Sequence, residues 1–175
     1  MKSNDIDLDN LTFSFTKTRS MYVAKCELGG EWQSGNIVPF DDLQISPAAG
    51  VLNYGQGLFE GMKAYKWDNG KIVIFRPEKN AERAARGCSR LSMPKIPANL
   101  FLDAAKKVVR DNADYIPNTK QGSLYVRPII FGSGAGLGVA PSTEYTLVVS
   151  AVILAQHLPT ERLCPEASIP YRLMH

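Results

Sequence analysis

Apolar and polar positions along this chain follow two periods. Tyr22 to Glu27, Ser123 to Phe131 and Tyr145 to Val152 read as strands. Met62 to Trp67 and Lys71 to Phe75 are two further strand-like runs separated by Asp68-Asn69-Gly70, and Asn-Gly between such runs predicts a hairpin. A helical period replaces the alternation further on. Leu100, Ala104 and Val108, with Phe101, Ala105 and Val109, form an apolar stripe, while Asp103, Lys106, Lys107 and Arg110 take the other face. An earlier helix is predicted to open at Pro77, which suits a first helical turn, and to continue from Asn80 to Leu91. Strands separated by two helices give an α/β (α+β) domain, a mostly antiparallel sheet with two packed helices. Pro128 has no amide hydrogen, so the strand that begins at Ser123 is expected to end there or to lie on an edge.

These elements divide the chain into an irregular polar segment at residues 1–20, a folded domain at 21–150, and a tail at 151–175. The tail contains Pro159, Pro165 and Pro170, shows neither period, and is expected to be poorly ordered.

The segment from Asn53 to Tyr65, NYGQGLFEGMKAY, breaks the alternation. Gly55, Gly57 and Gly61 surround the aromatic Phe59 and the acid Glu60. Glycines this dense weaken a plain strand and mark backbone that bends sharply or lies against another group. The residues alone allow a tight turn over a core aromatic, or a loop shaped around a ligand.

Tyr125 and Arg127 stand two apart in a predicted strand and so share a face, opposite Leu124 and Val126. A phenol beside a guanidinium could grip a carboxylate. A half-exposed strand face accounts for the pair equally well. Arg83, Arg86 and Arg90 fall on roughly one helical face, which by itself reads as a solvated basic surface. The run Gly132 to Gly138 does not have dinucleotide-binding spacing and precedes a strand instead of a helix.

Composition narrows the class. The 175 residues are 45% hydrophobic, which suits one globular domain with a sizeable core. A net charge of +3 argues against a nucleic-acid partner. The longest apolar run, Thr146 to Ala155, is shorter than the roughly 20 residues that cross a bilayer, so no membrane partner is expected. Cys26, Cys88 and Cys164 cannot all pair and lack metal-ligand spacing; His157 and His175 suggest neither a triad nor a metal site. The acidic opening MKSNDIDLDN resembles no leader peptide, which points to the cytoplasm.

Four segments, NYGQGLFEGMKAY, FRPEKNAERAAR (Phe75 to Arg86), SLYVRP (Ser123 to Pro128) and GLGVAP (Gly136 to Pro141), occur in the order found in branched-chain-amino-acid aminotransferases, and the chain resembles the small N-terminal domain of that family. The resemblance runs from about Met21 to Ser150. It implies a pyridoxal phosphate enzyme of fold type IV, exchanging an amino group between leucine, isoleucine or valine and 2-oxoglutarate. It implies that Arg83 holds the cofactor phosphate. Tyr54, Phe59, Tyr125 and Arg127 would shape the substrate side, while Leu137 and Val139 would complete the apolar pocket of a neighbouring subunit in a homodimer. The family's Schiff-base lysine has no counterpart in this chain, so no catalytic residue is assigned and the chain is expected to be inactive alone. The alternatives are a non-catalytic fragment that associates with full-length subunits, or another fold type IV enzyme such as a D-amino-acid aminotransferase or aminodeoxychorismate lyase.

Overall fold

The structure, a computed structural model, describes residues 16–118 and 121–155. Strands β1 (Ser20–Glu27) and β2 (Asn36–Pro39) come first, then a short helix α1 (Gly50–Tyr54). Strands β3 (Gly57–Phe59), β4 (Met62–Lys66) and β5 (Ile72–Ile74) follow, and then helices α2 (Pro77–Arg90) and α3 (Ala98–Asp111). Strands β6 (Gly122–Gly132) and β7 (Glu144–Ala155) complete the order. All seven strands join one sheet in the order β2-β1-β7-β6-β4-β5, with β3 also on β6, and every strand pair is antiparallel. The expected hairpin joins β4 to β5, with Gly70 at φ +78° where a side chain would be strained. β7 carries on through residues 151–155, past the boundary drawn at 150; residues 156–175 lie outside those described.

The two-residue period of the strands divides the sheet into two unlike faces. On one face Leu124, Val126 and Ile130 of β6 and Leu147, Val149 and Ala151 of β7 are buried against the helices. α3 contributes Phe101, Ala104, Ala105, Val108 and Val109, the stripe read from the sequence. α2 brings the small residues Ala81, Ala84 and Cys88, which let it lie close to the sheet. The other face carries Tyr125, Arg127 and Ile129 of β6, with Val148, Ser150 and Val152 of β7; Phe40 and Leu43 line a cavity on it, and a smaller cluster of Met21, Phe131 and Val148 packs with Val51 of α1.

Pro128 corrects the sequence reading. β6 passes straight through it and is an interior strand, with β7 on one side and β3 and β4 on the other. β3 and β4 share one alignment on β6, with Phe59 opposite Ile129 and Met62 opposite Val126. Glu60 therefore stands opposite Pro128, and Gly61 opposite Arg127. The Glu60 amide donates to the Pro128 carbonyl at 2.8 Å, and the return bond is the one that proline cannot make. One missing rung, on the side away from β7, separates β3 from β4, so the proline is tolerated inside the sheet.

Asn112, fully buried, ties the end of α3 to the start of β1. Its Oδ1 accepts from the amides of Arg19 and Ser20, and its Nδ2 donates to the carbonyls of Ser20 and Val108. Asn112→Ala strands these groups and should lower the unfolding free energy by about 2–3 kcal/mol, read from urea denaturation.

Candidate active site

Phe59, Arg83, Tyr125 and Arg127 gather around the missing rung. α1 ends at Gly55, at φ +65°, which turns the chain into β3. There Gln56 fixes the corner. Its carbonyl accepts from Gly132 N, its Oε1 accepts from Ser142 N at 3.0 Å, and its Nε2 donates to the Leu91 carbonyl at 3.0 Å.

Beyond Phe59 the two faces diverge. Glu60 turns towards α2 and is 5% exposed. Its carboxylate accepts from Arg83 Nε at 2.7 Å, Arg83 Nη2 at 2.5 Å and Asn80 Nδ2 at 2.8 Å. Asn80 also donates to the Gly61 carbonyl, which fixes the chain on both sides of the acid. The hydrogen bond to Glu60 and its charge push the Arg83 pKa up. The Arg83 side chain is 59% exposed, and its Nη1 has no partner among the described residues. An open guanidinium edge therefore faces outwards beside a buried acid.

Gly61 sits on the opposite face. A Cβ there would lie 2.2 Å from the Tyr125 hydroxyl, so the phenol rests on bare backbone. Arg127 Nη2 donates to that hydroxyl at 2.8 Å. The Arg127 guanidinium carbon lies 4.5 Å from the Phe59 ring centre and 5.0 Å from that of Tyr125, so both rings hold the cation by their π faces. Arg127 Nε is buried and has no hydrogen-bond partner among the described residues. Arg127 and Tyr125 line a cavity of about 420 Å3 with Asp41, Ser150, Ile129 and Val148 among its walls. That volume suits a small metabolite. Lys63, opposite Tyr125 in register, shares the face but does not line the cavity. A larger hollow of about 610 Å3 between Trp32 and Met93 contains none of the site residues named from the sequence.

The structure separates Tyr54 from Phe59. The Tyr54 hydroxyl donates to the Leu137 carbonyl at 3.0 Å, and Gly136 N donates to the Ala48 carbonyl. Tyr54 thus belongs with the loop between β6 and β7. Leu137 and Val139 project from that loop 86% and 94% exposed. The sequence marks Glu60 among the three glycines without giving it a role, and does not single out Asn80 or Gln56. Asn80 and Arg83 share a helix face at i, i+3, which is the one local hint; the partner acid lies 23 residues from Arg83.

Cys26 and Cys88 are buried and free, and burial pushes both thiols up, away from reactive thiolate. Cys164, His157 and His175 lie outside the described residues. Among the described residues no cluster of His, Cys, Asp or Glu could hold a metal ion, and no helix is long and apolar enough to cross a membrane.

No family model matches the chain. Over 145 residues it is 50% identical to "Branched-chain amino acid aminotransferase 2, chloroplastic" of Humulus lupulus, covering 83% of this chain and 36% of the relative. Over 150 residues it is 46% identical to "Methionine aminotransferase BCAT4" of Arabidopsis thaliana, covering 86% and 42%. Among solved structures, the Escherichia coli branched-chain amino acid aminotransferase aligns with TM-score 0.64 at 23% identity, covering 83% of this chain and 43% of that one. The branched-chain aminotransferase from the thermophilic archaeon Thermoproteus uzoniensis, solved with norvaline, aligns with TM-score 0.60 at 24% identity, covering 76% and 40%. A further branched-chain amino acid aminotransferase, solved with pyridoxamine 5'-phosphate, aligns with TM-score 0.62 at 26% identity, covering 83% and 43%. The chain spans well under half the length of these curated relatives.

The sheet and its paired helices match the N-terminal part of the solved branched-chain aminotransferases, which is a likeness of fold. Over the part that it spans, its sequence is 44–50% identical to branched-chain aminotransferases.

Gly61→Ala should displace Tyr125 and cost about 1–3 kcal/mol of stability. Tyr125→Phe in the same chain removes the nearest atom and should recover part of that loss, measured by paired urea unfolding.

Proposed function

We propose that this domain forms part of the active site of an enzyme transferring an amino group between a branched-chain amino acid and 2-oxoglutarate. The observation that carries the reading is the buried, unpartnered Nε of Arg127, held between two aromatic rings at a cavity of metabolite size. A carboxylate is the chemistry that completes it.

Pyridoxal phosphate is the implied cofactor. The residues present fit its phosphate end, since Arg83 keeps an open, exposed guanidinium edge. When bound, the cofactor supplies the electron sink for transamination. The chain's own residues bind and orient. Arg83 holds the phosphate. Tyr125 and Arg127 grip a carboxylate of the substrate, and the Phe59 ring shields the reacting end from water. Leu137 and Val139, held outwards on a tied loop, complete the apolar pocket of a second copy, and Tyr54 goes with them. A relative named for methionine indicates that a similar framework serves an unbranched side chain of like bulk.

Among the described residues no lysine lines the cavity, and the chain alone is expected not to turn over. Relatives whose names give a compartment are chloroplastic or mitochondrial, which favours an organelle over the cytoplasm suggested by the acidic opening.

A chimaera that continues from Ser150 into the Humulus lupulus relative should form glutamate from leucine and 2-oxoglutarate, whereas the 175-residue chain should not. In the chimaera, Phe59→Ala should raise KM for leucine by about tenfold, the loss expected when one aromatic contact is removed, and that for glutamate much less. Arg83→Ala should release cofactor on gel filtration. A chimaera that retains cofactor but does not discriminate between leucine and alanine would refute the substrate assignment.

A further inference from the structure

We propose that Glu60 is the positioning residue for Arg83, and that it decides which edge of the guanidinium meets the phosphate. The inference rests on the reading of Arg83 as the phosphate ligand. A guanidinium offers two forked edges: the side edge of Nε and Nη2, and the end edge of Nη1 and Nη2. Glu60 occupies the side edge completely, at 2.7 Å and 2.5 Å. What remains for an anion is the end edge, where Nη1 and the outer hydrogen of Nη2 point away from the acid.

The acid itself has little freedom. It is 5% exposed, Asn80 holds its Oε2, and its backbone amide is bonded to Pro128. Arg83, by contrast, is 59% exposed, and its four rotatable bonds would otherwise leave it mobile. The fixed partner therefore orients the mobile one. Without Glu60, Arg83 would keep its charge and lose its direction. Because Glu60 is an anion close to the phosphate, its charge opposes binding while its geometry favours it. A variant that keeps the charge and moves the carboxylate isolates the geometric part. Glu60→Asp is that variant, since it withdraws the carboxylate by one methylene.

The test uses the 175-residue chain, inorganic phosphate, and nitrogen-15 spectra of the arginine side chains. In the unaltered chain the Arg83 Nε–H should exchange slowly with solvent and hold its position during the titration, while the Nη signals shift. Glu60→Asp should speed Nε–H exchange and weaken phosphate binding about three- to tenfold, the size of a coupling between touching side chains. Asn80→Ala leaves every charge in place and should act in the same direction. Combined with Glu60→Asp it should add less than its separate effect, because both act through one carboxylate. Unchanged phosphate affinity in Glu60→Asp would overturn the proposal, as would phosphate shifts centred on Nε, or no saturable response in the unaltered chain. If Arg83→Gln binds phosphate as well as the unaltered chain, Arg83 is not the phosphate ligand. The reading of Arg83 then fails, while Nε–H exchange still reports whether Glu60 holds the guanidinium.

Discussion

A carboxylate buried at the edge of a sheet is costly unless its oxygens are fully engaged and its charge is met by a cation. Glu60 meets that demand with Arg83 and Asn80 from one face of α2. The arrangement constrains everything around it. α2 must lie close enough for both side chains to reach, which its small residues Ala81 and Ala84 permit. The chain must also leave the Glu60 side chain on the helix side, so Phe59 and Gly61 face the other way. The phosphate-binding candidate and the carboxylate-binding candidate are thus placed by consecutive residues, Glu60 and Gly61, of the link between β3 and β4, one on each side of the sheet.

Tyr125, Arg127 and Phe59 explain the glycine. Opposite Arg127, residue 61 must have no side chain, because Tyr125 lies across it and Arg127 bonds to the phenol. Phe59 then closes the stack over the guanidinium. The cation is held by rings and a hydroxyl rather than by an acid, which leaves its charge uncancelled for an incoming anion.

The secondary elements are legible in the sequence because burial on one face imposes the period. The stripe from Phe101 to Val109 appears in the structure as the buried face of α3, and Asn69-Gly70 makes its turn. Tyr125 and Arg127 share a face for the same reason. Pro128 misleads because its edge propensity is a rule about hydrogen bonds, and one missing rung is tolerable where the opposite strand pauses. The role of Glu60 does not stand out because its partner comes from a helix 23 residues later, and no local period connects them. The family resemblance groups Tyr54 with Phe59, whereas the left-handed turn at Gly55 sends the two in different directions.

The loop between β6 and β7 is fastened almost entirely through peptide groups and a serine: the carbonyl of Leu137, the amides of Gly132, Gly134, Gly136 and Ser142, and the hydroxyl of Ser142. The side chains of Leu137 and Val139 take no part in that fastening. Their identity is therefore uncoupled from folding, and exchanges there should be nearly neutral for the fold itself. In the pocket role proposed for these two residues, selectivity and stability would be drawn from different atoms of the same loop. Such a division would make the loop evolvable, since its two apolar tips could change to suit another side chain while the scaffold beneath them stays as it is.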